Sequence, residues 1–363
     1  MPGEQLSTPP RPIHGRGATE NPPNLFEEIR YDRDADAQEP EDPAPTTRFF
    51  KDRSQTIISY NDSPDVGFSA SVNPYRGCEH GCVYCYARPT HEYLGFSSGL
   101  DFESRILVKE DAPELLRAEL LSPRWQPQVI AMSGVTDPYQ PAERRFRLTR
   151  RCLEVLAAFR NPVAIISKNL LVRRDIDVLQ ELARDKTAAV LISVTTLRGD
   201  LQRTMEPRTA DPAARLGTIE ALAAAGIPVG VMVAPVIPGL TDREIPAILD
   251  AAAKAGARFA GCTPVRLPYA VKHLFEQWLE QHFPERKEKI LNRIRAMRGG
   301  KLNDPNFGSR MRGEGTFAEL IRDLFKKSCR KAGMERIPHL STAAFRRPGE
   351  TQPLPFPPAP SPP

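Results

Sequence analysis

Three cysteines, Cys78, Cys82 and Cys85, fall within eight residues of the stretch NPYRGCEHGCVYCYARPTHEYL (73–94). Thiols this dense in a long chain point to metal rather than to disulfide bonds. Three is one fewer than the four ligands that close a structural zinc or a conventional iron–sulfur site. The spacing, Cys-x3-Cys-x2-Cys, leaves three chemistries open. A structural zinc would take His80 or His91 as its fourth ligand. A redox dithiol has the Cys-x2-Cys spacing but no third thiol. A cubane cluster held by three thiolates would keep one iron free for a substrate. Gly77 and Gly81, which precede the first two thiols, suit a tight loop wrapped round a compact core. The remaining cysteines, Cys152, Cys262 and Cys329, are scattered and read as reduced structural or surface thiols.

The elements that must position this loop follow it in regular alternation. FESRILV (102–108), QVIAMSG (128–134), PVAIISK (162–168), AAVLISVTT (188–196), PVGVMVAPVI (228–237) and RFAGCTPVRL (258–267) read as strands. Between them lie helical patterns at 112–121, 148–159, 173–184, 212–226 and 242–256, the last two ending in glycine stop signals. Short apolar runs alternating with amphipathic helices predict βαβ units and a parallel sheet, either a partial barrel or an open doubly wound sheet. In both, chemistry collects at the carboxyl ends of the strands.

The 363 residues are 40% apolar, enough for a substantial core. Net charge is only +5, too small to imply a nucleic-acid partner by itself. Its distribution is uneven: Glu27 to Asp42 is mainly acidic, while residues 281–347 hold 17 Lys and Arg against 7 Asp and Glu. Residues 1–47 read as mostly disordered, with 14–27 able to dock through Leu25 and Phe26. Residues 48–270 form the core, 271–347 a basic helical extension, and 348–363 a proline-rich tail. Trp278, Phe283, Phe307 and Phe317 are aromatic enough to stack on bases, although helical spacing also suits a core. The amino terminus has no apolar run and no stretch of about 18 apolar residues exists, so a cytoplasmic location is expected.

Cys78-x3-Cys82-x2-Cys85, with Tyr84 before the last cysteine, resembles the signature of the radical S-adenosylmethionine (SAM) superfamily. The resemblance implies a [4Fe–4S] cluster whose fourth iron is chelated by SAM, within an α/β partial (β/α)6 barrel of parallel strands. It also implies reductive cleavage of SAM to a 5′-deoxyadenosyl radical and a one-electron reductant such as flavodoxin or ferredoxin. The chain is most similar to the spore photoproduct lyase-like branch, through SGVTDPYQP (133–141), the ISK strand end (166–168) and MEPRT (205–209). By that likeness Ser133 and Gly134 would meet the ammonium of SAM and Lys168 its carboxylate. Ser193 would reach ribose or carboxylate. Glu206 and Arg208 would either join the same ligand or pair with each other, and VAPVIPG (233–239) would pack adenine. One position departs: Met132 stands where the lyase has a hydrogen-donating cysteine, which makes Tyr139 the candidate donor. Nucleic acid is a candidate substrate. A zinc-stabilised, non-catalytic nucleic-acid-binding protein is the alternative.

Overall fold

The computed structural model describes residues 11–26 and 45–349; the expectations for 1–10, 27–44 and 350–363 lie outside them. Among the described residues ten strands form two sheets. They are β1 (Arg48–Lys51), β2 (Ile58–Tyr60), β3 (Ala70–Val72), β4 (Tyr75–Arg76), β5 (Arg105–Val108), β6 (Ile130–Met132), β7 (Val163–Ser167), β8 (Ala188–Ser193), β9 (Val229–Val236) and β10 (Phe259–Pro264). The larger sheet runs β10-β9-β8-β7-β6-β3-β2 and the smaller β1-β5-β4. From β3 to β10 every pairing in the larger sheet is parallel, and β2 joins β3 antiparallel. This is the partial (β/α)6 barrel, left open between β10 and β2.

Parallel strands are covered on both faces, so they are short and apolar throughout. All six residues of β8, AAVLIS, are buried. The covering helices include Ala112–Leu121, Leu148–Phe159, Ile176–Arg184, Pro212–Ala224 and Ile245–Lys254. Asp211 caps the fourth of these by accepting from Ala214 N–H at 2.9 Å, with proline at the first turn. Gly226 and Gly256 follow the last two helices in the left-handed region, at φ of +73° and +99°, as the stop signals require.

The first strand lies elsewhere than the sequence pattern suggests. Residues 102–108 do not open the barrel: Leu100–Ser104 is helical, and β5 joins the small sheet between β1 and β4. The first barrel strand is β3, whose register sets Val72 beside Met132. The cysteines therefore follow the carboxyl end of strand one.

After β10, the helices Val271–His282, Lys287–Ala296 and Gly315–Lys331 pack back on the barrel. Trp278 is buried, stacks on Phe275 and donates Nε1–H to the Thr204 carbonyl at 3.1 Å, so it is a core residue. Phe283 packs against the same cluster, while Phe307 and Phe317 are exposed. Among the described residues no helix is long and apolar enough to cross a membrane.

Candidate active site

The carboxyl ends of the barrel strands bring the predicted groups to one end of the fold. Leaving β3 and β4, the chain turns at Gly77 (φ +80°) and Gly81 (φ +64°), so the first two thiols each follow a residue in glycine's own region. Cys78 N–H donates to the Phe102 carbonyl at 2.8 Å and Cys85 N–H to the Cys82 carbonyl at 3.1 Å. Cys78 and Cys82 are buried, Cys85 is half-buried, and all are free thiols. Cys85 packs against two apolar groups, one containing Cys78 and the other Cys82.

Burial pushes all three thiols up, and ionised Cys82 and Cys85 would raise Cys78 further. Lys168 pulls Cys82 and Cys85 the other way. Thiols raised in this way become thiolates only beside strong positive charge, which a metal core would provide. The donor set fits a three-thiolate cluster. A single zinc would need a fourth protein ligand beside the three thiols. His80, a proposed fourth ligand, is engaged with Asn169 at 3.1 Å and Asp137 at 3.4 Å.

Beside the loop lies a buried knot that the sequence pattern did not reveal. The Tyr84 hydroxyl donates to Glu206, which also accepts from Thr195 at 2.7 Å and pairs with buried Arg215. Lys168 places its ammonium 6.0 Å over the Tyr84 ring. Burial alone would raise the Glu206 carboxyl; Arg215, Lys168 and the two hydroxyls more than reverse this and hold it at about 2. Glu206 and Arg208 do not pair. Arg208 instead reaches Glu79 and Thr47, both at 3.2 Å, and its N–H bonds the His80 carbonyl. Ser193 is buried at the end of β8, where its carbonyl accepts from Arg215 at 3.0 Å.

At the end of β6, Ser133 and Gly134 form the expected small turn, and the Gly134 carbonyl accepts from Tyr86 at 2.5 Å. Asp137 locks this turn to the end of β7. It accepts from Ser167 Oγ at 2.8 Å and Lys168 N–H at 2.7 Å, and burial, which opposes its charge, is outweighed by His80 and these bonds. Met132 is fully buried. Tyr139 is also fully buried, and its charged neighbours are Asp175, Glu143 and Arg174 rather than Lys168 and Glu206. Tyr139 thus stands with the Asp175, Glu143 and Arg174 group rather than with Lys168 and Glu206.

The back of the loop is closed by the amino-terminal segment. Buried Glu103 accepts from Arg88 at 2.5 Å, Gly17 N–H at 3.0 Å and Ala18 N–H at 2.8 Å. A Cβ on Gly17 would stand 1.7 Å from the Gly81 carbonyl oxygen, so only glycine fits there. Docking runs through these backbone groups, with Asn21 and Asn24 bonding Asp101 and the carbonyls of Glu92 and Phe96. Leu25 and Phe26 add to it from the surface: the Phe26 ring lies 4.9 Å from that of Tyr93 and Leu25 N–H reaches Glu92 Oε2 at 3.4 Å, while the two residues stay 59% and 60% exposed.

His91 packs between Phe96 and Phe102, and neither ring nitrogen makes a hydrogen bond of normal geometry. Burial lowers its pKa to about 4. Because the unfolded chain titrates near 6.5, stability is full above that pH and falls as pH drops toward 4, by about 3 kcal/mol. Urea titrations between pH 7 and 4 should show this loss, and His91→Phe should flatten it.

Residues 72–252 match the family model of the Radical SAM superfamily. An uncharacterized protein of Mycobacterium tuberculosis is 38% identical over 248 residues, covering 68% of this chain and 72% of the relative. One of Methanocaldococcus jannaschii is 29% identical over 233 residues, covering 64% of this chain and 83% of the relative. Among solved structures, a spore photoproduct lyase mutant has a TM-score of 0.57 at 16% identity, with 79% of this chain and 80% of that chain covered. A second mutant of that lyase, with bound AdoMet and dinucleoside spore photoproduct, has a TM-score of 0.56 over the same coverage, also at 16% identity. At that identity the likeness is one of fold.

Proposed function

The chain belongs to the radical SAM superfamily, and from that premise we propose that it is an enzyme holding a [4Fe–4S] cluster on Cys78, Cys82 and Cys85 and cleaving SAM reductively. When bound, cluster and cosubstrate would supply a 5′-deoxyadenosyl radical able to abstract hydrogen from a substrate. The observation that carries the reading is the set of three free thiols, two buried and one half-buried, on one glycine-turned loop, at the barrel end where Lys168 adds positive charge.

The chain's own residues would act by position. Lys168, fixed by the Asp137 bond to its backbone, would pair with the SAM carboxylate. The carbonyls of the Ser133–Gly134 turn would take its ammonium, and Ser193 its ribose. Tyr84, held by Glu206, gives the mouth a rigid apolar wall under Lys168. Arg208 would contribute only by sharing its pair with Glu79. The Glu206–Arg215 knot excludes water from this side. Electrons would come from a one-electron donor such as flavodoxin or ferredoxin, and nucleic acid remains a candidate substrate.

The test is anaerobic reconstitution with iron and sulfide, then dithionite and SAM, with 5′-deoxyadenosine quantified. Product is expected from wild type and none from Cys82→Ala. Stoichiometric zinc with no iron uptake would overturn the reading.

A further inference from the structure

A second feature of the barrel mouth is not used by that reading. Tyr86 directly follows the last cysteine and is 50% exposed. Its hydroxyl is tied to Gly134 at the end of β6, and its ring lies 5.5 Å beneath the guanidinium of Arg266, two residues beyond β10. Tyr86 therefore spans the mouth from one barrel strand to the last. The segment around 307–311 crosses the open side of the barrel next to it. Asp65, in the β2–β3 connection, accepts from Gly308 N–H and Arg310 Nε, both at 2.5 Å. Arg298 ties the same segment to β10 through the carbonyls of Ser309, Arg310 and Val265.

The arginines of this rim are not equivalent. Arg310 is neutralised by Asp65. The Arg298 guanidinium uses its donors on those backbone carbonyls. Among the described residues Arg266 hydrogen-bonds only the thioether of Met311, at 3.2 Å, its buried Nε has no hydrogen-bond partner, and it makes no ion pair; Asp65 acts on it only through space, against the opposing charge of Arg310. A partly buried guanidinium with idle donors is costly unless something anionic completes it. Its fork matches the geometry of a carboxylate or phosphate, and the ring below restricts it to one plane. Three residues on, Tyr269 is 64% exposed at φ +47°, a left-handed conformation that is strained for a bulky residue and gathers at functional sites.

We propose that Arg266, floored by Tyr86, is the substrate-side anchor of the mouth, binding an oxyanion, phosphate or carboxylate, of the molecule on which the enzyme acts. The assignment rests on the radical SAM reading for the word substrate, and on Arg266 alone for the anion. The test titrates inorganic pyrophosphate, and separately malonate, into reconstituted protein saturated with SAM, so that the cosubstrate's own carboxylate is not what is read. Calorimetry is expected to show binding of at least one probe to wild type and an affinity about tenfold weaker in Arg266→Gln. Pyrophosphate alone would mark a phosphate-bearing substrate, malonate alone a carboxylate. Arg266→Lys, which keeps charge but not the fork, should fall between and serves if Arg266→Gln does not fold. Equal affinity in wild type and both variants, or no binding of either probe to wild type, overturns the anchor. Absence of 5′-deoxyadenosine in a parallel assay would instead overturn the radical reading and leave the anion result standing.

Discussion

Replacing Arg215 with methionine is expected to destabilise the fold by about 3–5 kcal/mol, the usual cost of leaving a buried charge without its partner. Arg215 and Glu206 are both essentially inaccessible. The guanidinium also bonds the Ser193 and Ala210 carbonyls and Thr209 Oγ1, so one side chain joins the end of β8 to the helix Pro212–Ala224. Tyr84 and Thr195 would still donate to Glu206 and Lys168 would still attract it, yet the hydroxyls are neutral and Lys168 makes no ion pair with it, so they cannot replace a bonded guanidinium away from water. In a thermal melt the loss corresponds to a drop of the order of 10 °C. The deficit should shrink as pH falls, because the abandoned carboxyl can then protonate. Replacing Glu206 by leucine in the same chain should restore much of the loss, since an apolar pair of similar volume needs no desolvation. A single variant as stable as wild type would mean that water reaches Glu206 and that the knot is not dry.

That knot shows where sequence reasoning stops. MEPRT places Glu206 and Arg208 two residues apart, and proximity suggests a pair. The backbone decides otherwise: Glu206 ends the helix Gly199–Met205 and meets Arg215 on the following helix, while Arg208 turns to Glu79 in the cysteine loop. Five of six barrel strands were legible because each is a short apolar run before an amphipathic helix. The first was not, because Ala-Ser-Val is too short to carry a pattern and FESRILV imitates one. The spacing of the cysteines marked a metal loop, and only the family resemblance narrowed it to a three-thiolate cluster. Asp137, which fixes Lys168, sits in SGVTDPYQP without any local signal of what it would hold.

Glu103→Gln is expected to free the amino-terminal segment from the cysteine loop. The Glu103 carboxylate accepts from the Arg88 guanidinium and from two backbone N–H groups, of Gly17 and Ala18. Glutamine keeps one oxygen but turns a second acceptor into a donor, which would then face N–H groups already seeking acceptors. Arg88 would lose the only carboxylate it meets among the described residues, although its bonds to the Cys82, Ser98 and Gly99 carbonyls remain. The expected loss is about 3 kcal/mol, and it should appear locally first. The segment buries few apolar groups, Ala18 among them, and is held chiefly by hydrogen bonds, so it can open before the barrel does. Limited trypsin digestion should cut after Arg16 faster than in wild type, while the main melt moves less than in Arg215→Met. Because Gly17 lies against Gly81, between the first two cysteines, opening would also uncover the back of the metal loop. The iron–sulfur absorbance of reconstituted Glu103→Gln should therefore bleach in air several-fold faster. Faster proteolysis with unchanged bleaching would show that the segment anchors the chain without shielding the loop; no change in either would mean that the Asn21 and Asn24 bonds suffice to hold it.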